Sequence, residues 1–243
     1  MDMPTRFPVA ERPAAYAHRR GQIETYFDRT AVQAWARLTS DAPVGRIRAT
    51  VRAGRGRMRA RLLDWLPADL RGQRLLDAGC GTGALAVEAA RRGAEVVAID
   101  LSPTLMALAQ ERLPADLGEG RIRFLAGDML DPALGHFDHV VAMDSLIHYE
   151  TIDTVQALAA LAERTRASML FTFAPRTPAL AAMHAVGRWF PRSDRAPAIV
   201  PVAEADLHQR LQQRLGGQGW ALAGTERVAS GFYTSQAMAW RRG

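Results

Sequence analysis

The stretch Leu75-Leu76-Asp77-Ala78-Gly79-Cys80-Gly81-Thr82-Gly83 decides how this 243-residue chain folds. Its first half belongs to a short apolar strand, Arg74–Ala78, and its second half is a glycine turn. Ala84–Arg92 then continues as a helix that Gly93 stops. Glycines at alternate positions let the backbone approach a ligand closely, and the following helix offers its free N-terminal amides.

Outward from this turn the alternation of strand and helix repeats. Glu95–Ile99 reads as a second strand and Pro103–Leu113 as a second helix, with Ser102 as N-cap and Pro103 at the first helical position. Arg121–Ala126 and Phe137–Met143 read as further strands, Ile152–Arg164 as a helix and Ser168–Ala174 as a fifth strand. Such spacing is that of a parallel sheet with crossover helices. Past Ala174 the rhythm changes. Thr177–Val186 reads as helical, Arg188–Val200 as a loop containing Pro191 and Pro197, and Glu204–Leu215 as a helix. Trp220–Val228 and Tyr233–Arg241 form a closing antiparallel pair.

Before residue 70 the pattern holds helices and no strands. Gly21–Thr39 carries Ile23, Tyr26, Phe27, Val32, Trp35 and Leu38 as an approximate helical stripe, and Pro43 breaks the chain. Val44–Leu66 reads as a second helix bearing seven arginines between Arg46 and Arg61, ended by Pro67 and Gly72. The expected organisation is a helical, basic N-terminal arm over 1–69 and a core over 70–243, with a mobile insertion at about 176–202.

A chain that is 48% hydrophobic and 23% charged is not disordered throughout. No apolar run approaches the roughly 20 residues of a membrane-spanning helix, and Met1–Pro13 does not resemble a secretory signal. The expected location is cytoplasmic, with peripheral membrane association left open. Cys80 is the one cysteine, which excludes an intrachain disulfide and a cysteine-based metal cage. The net charge of +6 is uneven: residues 1–61 hold 13 Arg against 5 acids, the remainder 18 Arg against 20.

The glycine turn suits two cofactors. Gly79, Gly81 and Ala84 fit the dinucleotide fingerprint, and Asp100 lies where a ribose-binding acid would. Three features favour S-adenosylmethionine. Asp77 stands two residues before the first glycine, where a carboxylate meets an α-amino group and would repel a pyrophosphate. Asp128 and Met129 follow the third strand, offering an acceptor for the adenine amino group and an apolar neighbour for its ring. The closing strand pair completes a seven-stranded sheet. Ordinary helix capping or turn formation is the alternative reading for Asp100 and Asp128.

The segment Leu75–Gly83 resembles motif I of class I methyltransferases. The fold this implies is α/β: a doubly wound, Rossmann-like sheet of seven strands with an antiparallel last strand, plus the α-helical N-terminal arm. The implied cofactor residues are Asp77, Gly79, Cys80, Gly81, Asp100, Leu101, Asp128, Met129 and Asp144, with Asp100 taking the ribose hydroxyls. Cys80 has a bland alternative, that of filling a small slot.

Further segments resemble the magnesium-protoporphyrin IX O-methyltransferases of (bacterio)chlorophyll synthesis. They are Tyr26-Phe27-Asp28-Arg29, Leu38-Thr39-Ser40-Asp41, Val44–Arg48, Val51–Arg55, Asp144-Ser145-Leu146-Ile147-His148-Tyr149 and Phe171–Pro175. The resemblance implies methylation of the 13-propionate carboxylate, with the magnesium carried by the substrate and no protein-bound metal. It places functional residues at Tyr26, on an arm that closes over the cofactor, and at His148. A structural histidine is the alternative for His148. A propionate is ionised at neutral pH, so the reaction asks for desolvation and aim rather than a strong base.

Among the arginines, Arg46, Arg48 and Arg52 are candidates for the porphyrin's second propionate, or for docking the magnesium chelatase subunit that carries the porphyrin. A solvated helix face is the alternative for at least half of the seven. Trp189 is a candidate lid residue over the macrocycle, with core packing as its alternative. The arm has few aromatics interleaved with its charges, so nucleic acid is not an expected partner. His136 and His139 share a His-x-x-His spacing, but strand alternation between them argues against a metal site.

Overall fold

A computed structural model describes residues 14–26, 45–176 and 198–243. The chain runs α1 (Ala14–Thr25), α2 (Arg46–Asp64), β1 (Arg74–Ala78), α3 (Ala84–Arg91), β2 (Glu95–Asp100), α4 (Pro103–Glu111), β3 (Arg121–Ala126) and β4 (Phe137–Ala142). It continues with α5 (Thr151–Ala162), β5 (Thr165–Phe173), α6 (Glu204–Leu215), β6 (Trp220–Ser230) and β7 (Tyr233–Arg242). The strands form one seven-stranded sheet in the order β3-β2-β1-β4-β5-β7-β6. The first five strands pair in parallel, and β7 inserts antiparallel between β5 and β6. This is the expected class of sheet.

Both faces are covered, because the central strands are apolar on both sides; β1 is buried from Leu75 through Ala78. On one face Met58, Leu62 and Leu63 of α2 join Leu85, Ala86, Ala89 and Ala90 of α3 against Leu75, Val96 and Leu170. On the other, Leu158 and Leu161 of α5 and Leu207 and Leu211 of α6 pack with Phe171, Trp220 and Trp240. The second half of the expected arm is therefore seated on the sheet. Ser102 caps α4 as expected, its hydroxyl accepting from the Leu105 N–H at 3.2 Å.

Several boundaries differ from expectation by a residue or more, and three have a clear physical reason. Helix α1 begins at Ala14, not Gly21, because a glycine inside a helix costs only about 1 kcal/mol and need not mark an end. Its expected continuation to Thr39 lies outside the described residues. Strand β5 begins at Thr165, three residues early, because Phe137 pairs with Thr165 across a register shift before His139 pairs with Ser168. Strand β6 runs on to Ser230, where Ser230 faces Tyr233 across the hairpin. The expected Thr177–Val186 helix, most of the Arg188–Val200 loop, and Trp189 lie outside the described residues.

Strand order reverses between β1 and β4, which both leave the sheet's centre at their carboxyl ends. The crevice at such a reversal is where open α/β sheets bind ligands. Here it is bounded by the glycine turn after β1 and by residues 144–149 after β4.

Candidate active site

Left-handed glycines build the turn: φ is 81° at Gly79, 57° at Gly81 and 76° at Gly83. The Gly79 and Cys80 amides both donate to the Ile99 carbonyl, at 2.8 and 3.0 Å, which locks the turn to the end of β2. At Gly79 space is as decisive as φ, since a Cβ there would collide with the Ser145 side chain. At Gly83 it would lie 2.7 Å from the Phe124 ring. The two loops that flank the crevice thus touch through a glycine.

Two acids sit beneath this turn. Asp77 is 2% exposed, and its Oδ2 has no hydrogen-bond partner. Burial, and then the neighbouring Asp100, push its carboxyl up to about 7, against a hydrogen bond from the Ala86 backbone in the first turn of α3. Asp100 accepts from the Gly81 N–H at 2.9 Å on one oxygen and from the Ser102 N–H at 3.1 Å on the other. Burial raises its carboxyl too. Two desolvated carboxyls, one with an orphan oxygen, suit a ligand bringing a cation and hydroxyls. Leu101 packs against the core beside them. The Cys80 thiol is pushed well up by burial, with Sγ 3.8 Å from Met106 Sδ, which fits slot-filling rather than a nucleophile.

At the far end of the crevice Asp128 accepts from the Leu130 N–H at 2.8 Å and forms an ion pair with Arg20 at 2.9 Å. Sequence reasoning did not single out Arg20. It brings α1 onto the crevice, where Ile23 is buried in the same cluster as Met129, Leu146 and Tyr149. Tyr26 follows Ile23 by three residues and is half-buried at the end of that helix.

His148 is 6% exposed, and its Nδ1–H donates to the Ala198 carbonyl at 3.3 Å. A carbonyl can only accept, so Nδ1 carries the proton and Nε2 is the remaining ring nitrogen. Ser145 Oγ, beside Gly79, is buried with no partner. His139 is used differently: its two ring nitrogens meet Ser168 Oγ and Gln73 Oε1, and burial lowers its titration.

The carboxylate of Asp144, expected among the cofactor residues, is committed to protein groups instead. It accepts from Thr172, Ser235 and Tyr233 hydroxyls and from the Arg55 guanidinium. An ionised carboxylate has about four acceptor positions, so these donors fill it. Nothing local in the sequence signals this, because the partners are up to 91 residues away. Of the arginines on α2, Arg55, Arg57 and Arg61 bind Asp144, the Ala229 carbonyl and Glu226, so a wholly solvated face is excluded. Arg46 and Arg48 are exposed, and Arg52 is half-buried.

Comparison with known proteins agrees with this geometry. The family model for the magnesium-protoporphyrin IX methyltransferase C-terminus matches residues 142–242, and a general methyltransferase-domain model matches residues 75–168. A magnesium-protoporphyrin O-methyltransferase of Rhodobacter capsulatus is 50% identical over 230 residues, which is 94% of this chain and 99% of the relative. One from Synechocystis is 30% identical over 88% of this chain and 92% of its own length. The crystal structure of magnesium protoporphyrin IX methyltransferase from Synechocystis with bound S-adenosylhomocysteine (SAH) superposes with a TM-score of 0.80. The identity is 28%, and the match covers 92% of this chain and all of that one. With its cradle, its sheet and these relatives together, the chain belongs to the magnesium-protoporphyrin O-methyltransferase family.

Proposed function

We propose that this protein transfers a methyl group from S-adenosylmethionine to one propionate carboxylate of Mg-protoporphyrin IX, giving the monomethyl ester of (bacterio)chlorophyll synthesis. The observation that carries this reading is the 50% identity to the Rhodobacter capsulatus enzyme across 94% of the chain. The donor residues fit the cofactor. Gly79 and Gly81 lie beneath its methionine part, and the orphan oxygen of Asp77 takes the ammonium. Asp100 takes the ribose hydroxyls, and Asp128 and Met129 flank the adenine. When bound, the cofactor supplies a methyl group on a positively charged sulfur.

The chain's own residues then have three tasks. The nucleophile is a carboxylate already ionised at neutral pH, so no residue must remove a proton from it. Ile23 of α1 and Tyr26 just beyond it cover the crevice, and water excluded there strengthens each polar contact. His148, held by the Ala198 carbonyl through Nδ1, presents its ring to the acceptor. The ring, so held, sets which carboxylate oxygen lies along the methyl–sulfur axis. Tyr26 acts as a neutral donor that orients without over-stabilising the nucleophile.

Arg46, Arg48 and Arg52, on the first turns of α2, are the proposed partners of the second propionate, and Trp189 of the macrocycle. The exposed Arg46 and Arg48 also suit the porphyrin-carrying magnesium chelatase subunit. No helix of the described residues is long and apolar enough to cross a membrane; peripheral association is part of this proposal. Incubation with S-adenosylmethionine and Mg-protoporphyrin IX should yield a porphyrin heavier by one CH₂. A panel with metal-free protoporphyrin and quinone-type hydroxyls separates this reading from another O-methylation, which would leave Mg-protoporphyrin unchanged.

A further inference from the structure

Asp144 adopts a left-handed backbone, with φ of 54°, and is the one non-glycine residue among those described to do so. Aspartate tolerates this conformation better than most residues, but it persists only where the surroundings over-determine it. The surroundings here are specific. The Asp144 N–H donates to Thr172 Oγ1 at 2.7 Å, and the same hydroxyl returns its own proton to Asp144 Oδ1 at 3.1 Å. Ser235 reaches Oδ1 at 3.1 Å, and Tyr233 reaches Oδ2 at 3.1 Å. Arg55 closes the set from α2, with side-chain exposures of 20% for Arg55 and 5% for Asp144. Burial, then the Asp144 charge, keep the Tyr233 phenol protonated, so it remains a donor.

Four elements therefore meet on one carboxylate: α2, the end of β4, β5 and β7. Helix α2 reaches it because Gly54 leaves a notch for Tyr233; a Cβ on Gly54 would lie within 2.9 Å of the Tyr233 Cβ. The next residue after Asp144 is Ser145, whose side chain fills the space that a Cβ on Gly79 would need. Four residues on stands His148. Any rotation at Asp144 displaces Ser145 against the donor's glycine turn and swings His148 across the crevice.

We propose that Asp144 and Arg55 are positioning residues for methyl transfer. Together they hold residues 144–149 at a fixed distance from Gly79, so that His148 is set relative to a donor turn that the Ile99 carbonyl holds independently. The carboxylate acts without touching cofactor or substrate, because its acceptor positions are filled by protein. This deepens, and rests on, the methyltransferase reading above. It also explains why Arg55 is buried to 20% side-chain exposure against an acid when Arg46 and Arg48 on the same helix are exposed.

The test compares Asp144→Asn, Arg55→Met, Arg55→Lys and Tyr233→Phe with the wild type. SAH binding by calorimetry counts the folded, binding-competent sites, and kcat is expressed per such site. Asp144→Asn and Arg55→Met should bind SAH within about threefold of wild type while kcat falls roughly ten- to hundredfold, the scale of a displaced reacting group. Arg55→Lys and Tyr233→Phe, which keep the carboxylate and most of its donors, should fall between these and the wild type. Amide hydrogen exchange over 144–149 in the SAH-bound protein gives a second readout. It should speed up in Asp144→Asn while β1 and β2 stay protected.

If kcat per binding site stays within about twofold of wild type in the folded variants, or falls only in step with SAH binding, the anchor has no positioning role. Should Asp144→Asn fail to fold, Arg55→Lys and Tyr233→Phe decide by the same criterion. A wild type that binds SAH but leaves Mg-protoporphyrin unmethylated would count against the proposed function. The exchange measurement would then judge the anchor alone, and wild-type rates over 144–149 in the variants would overturn it.

Discussion

Replacing Asp77 by Asn, and titrating the wild type beside it, probes the donor cradle through one group. In the unliganded protein the Asp77 carboxyl is raised from 3.8 to about 7, chiefly by burial. At roughly 1.4 kcal/mol per unit, ionising it in place costs about 4 kcal/mol. The sign of the linkage follows. A carboxyl with a raised folded value favours the folded state fully below its unfolded value, and that contribution is lost as pH rises through about 7. The unliganded wild type should therefore lose stability between pH 3.8 and about 7 through this group, and Asp77→Asn should not.

Ligand binding runs the other way, because the ammonium needs the ionised carboxylate. Near pH 6 only about a tenth of the sites are ionised, so SAH should bind roughly tenfold more weakly than to the fully ionised site. The ammonium itself begins to lose its proton near about pH 8, which bounds the useful window. Calorimetry from pH 5.5 to 7.5, in buffers of different ionisation enthalpy, should show close to one proton released at the acid end and little at pH 7.5. Asp77→Asn should remove the pH dependence and weaken binding at pH 7.5 by about 1.5–3 kcal/mol, the worth of a charged hydrogen bond. A flat wild-type profile, or an Asn variant that keeps the slope, would refute the assignment of the ammonium to Asp77.

Other consequences are open to measurement. Gly79→Ala combines a left-handed φ with a collision against Ser145, so SAH affinity should drop at least about tenfold; unchanged affinity would mean the turn is not the cradle. Arg20→Met breaks an ion pair whose arginine is 35% exposed, so the effect is bounded near 1 kcal/mol. Loss of Arg20 should raise the KM for S-adenosylmethionine about fivefold and speed hydrogen exchange in α1. An unaltered KM would show that the Arg20–Asp128 pair has no part in donor binding. His148→Ala should cut kcat/KM with SAH binding nearly intact, whereas a kcat/KM equal to wild type would remove the histidine from the acceptor site. Tyr26→Phe should lower kcat by roughly fivefold or more with SAH binding nearly intact, and equal activity would reassign Tyr26 to packing.

The sequence was most informative where chemistry is local. Strands β1 and β3 start and stop where expected because a short apolar or alternating run meets glycine at its end. Asp77, Asp100 and Asp128 could be placed at the crevice because each sits at or just past a strand's carboxyl end, where chain order alone puts it. Gly21 misled, since a glycine within a helix looks like a boundary until neighbouring turns are counted. The partners of Asp144 and Arg55 were illegible for a different reason. The acid lies at a strand end like the cofactor residues, and the arginine is one of seven in a basic helix. Only folding brings them together across 89 residues and adds Tyr233 and Ser235 from β7. Arg20 was missed because α1's helical stripe says which face is apolar, not which acid a flanking arginine will meet.

The central claim is that one propionate of one porphyrin receives the methyl group held over Gly79 and Gly81. A single-turnover reaction with methyl-labelled S-adenosylmethionine and excess Mg-protoporphyrin IX tests it directly. The account predicts one labelled methyl ester per SAH formed, on a single propionate, with the second propionate left free. Label appearing on both propionates alike, on a carbon or nitrogen of the macrocycle, or on no porphyrin despite SAH binding, would contradict it.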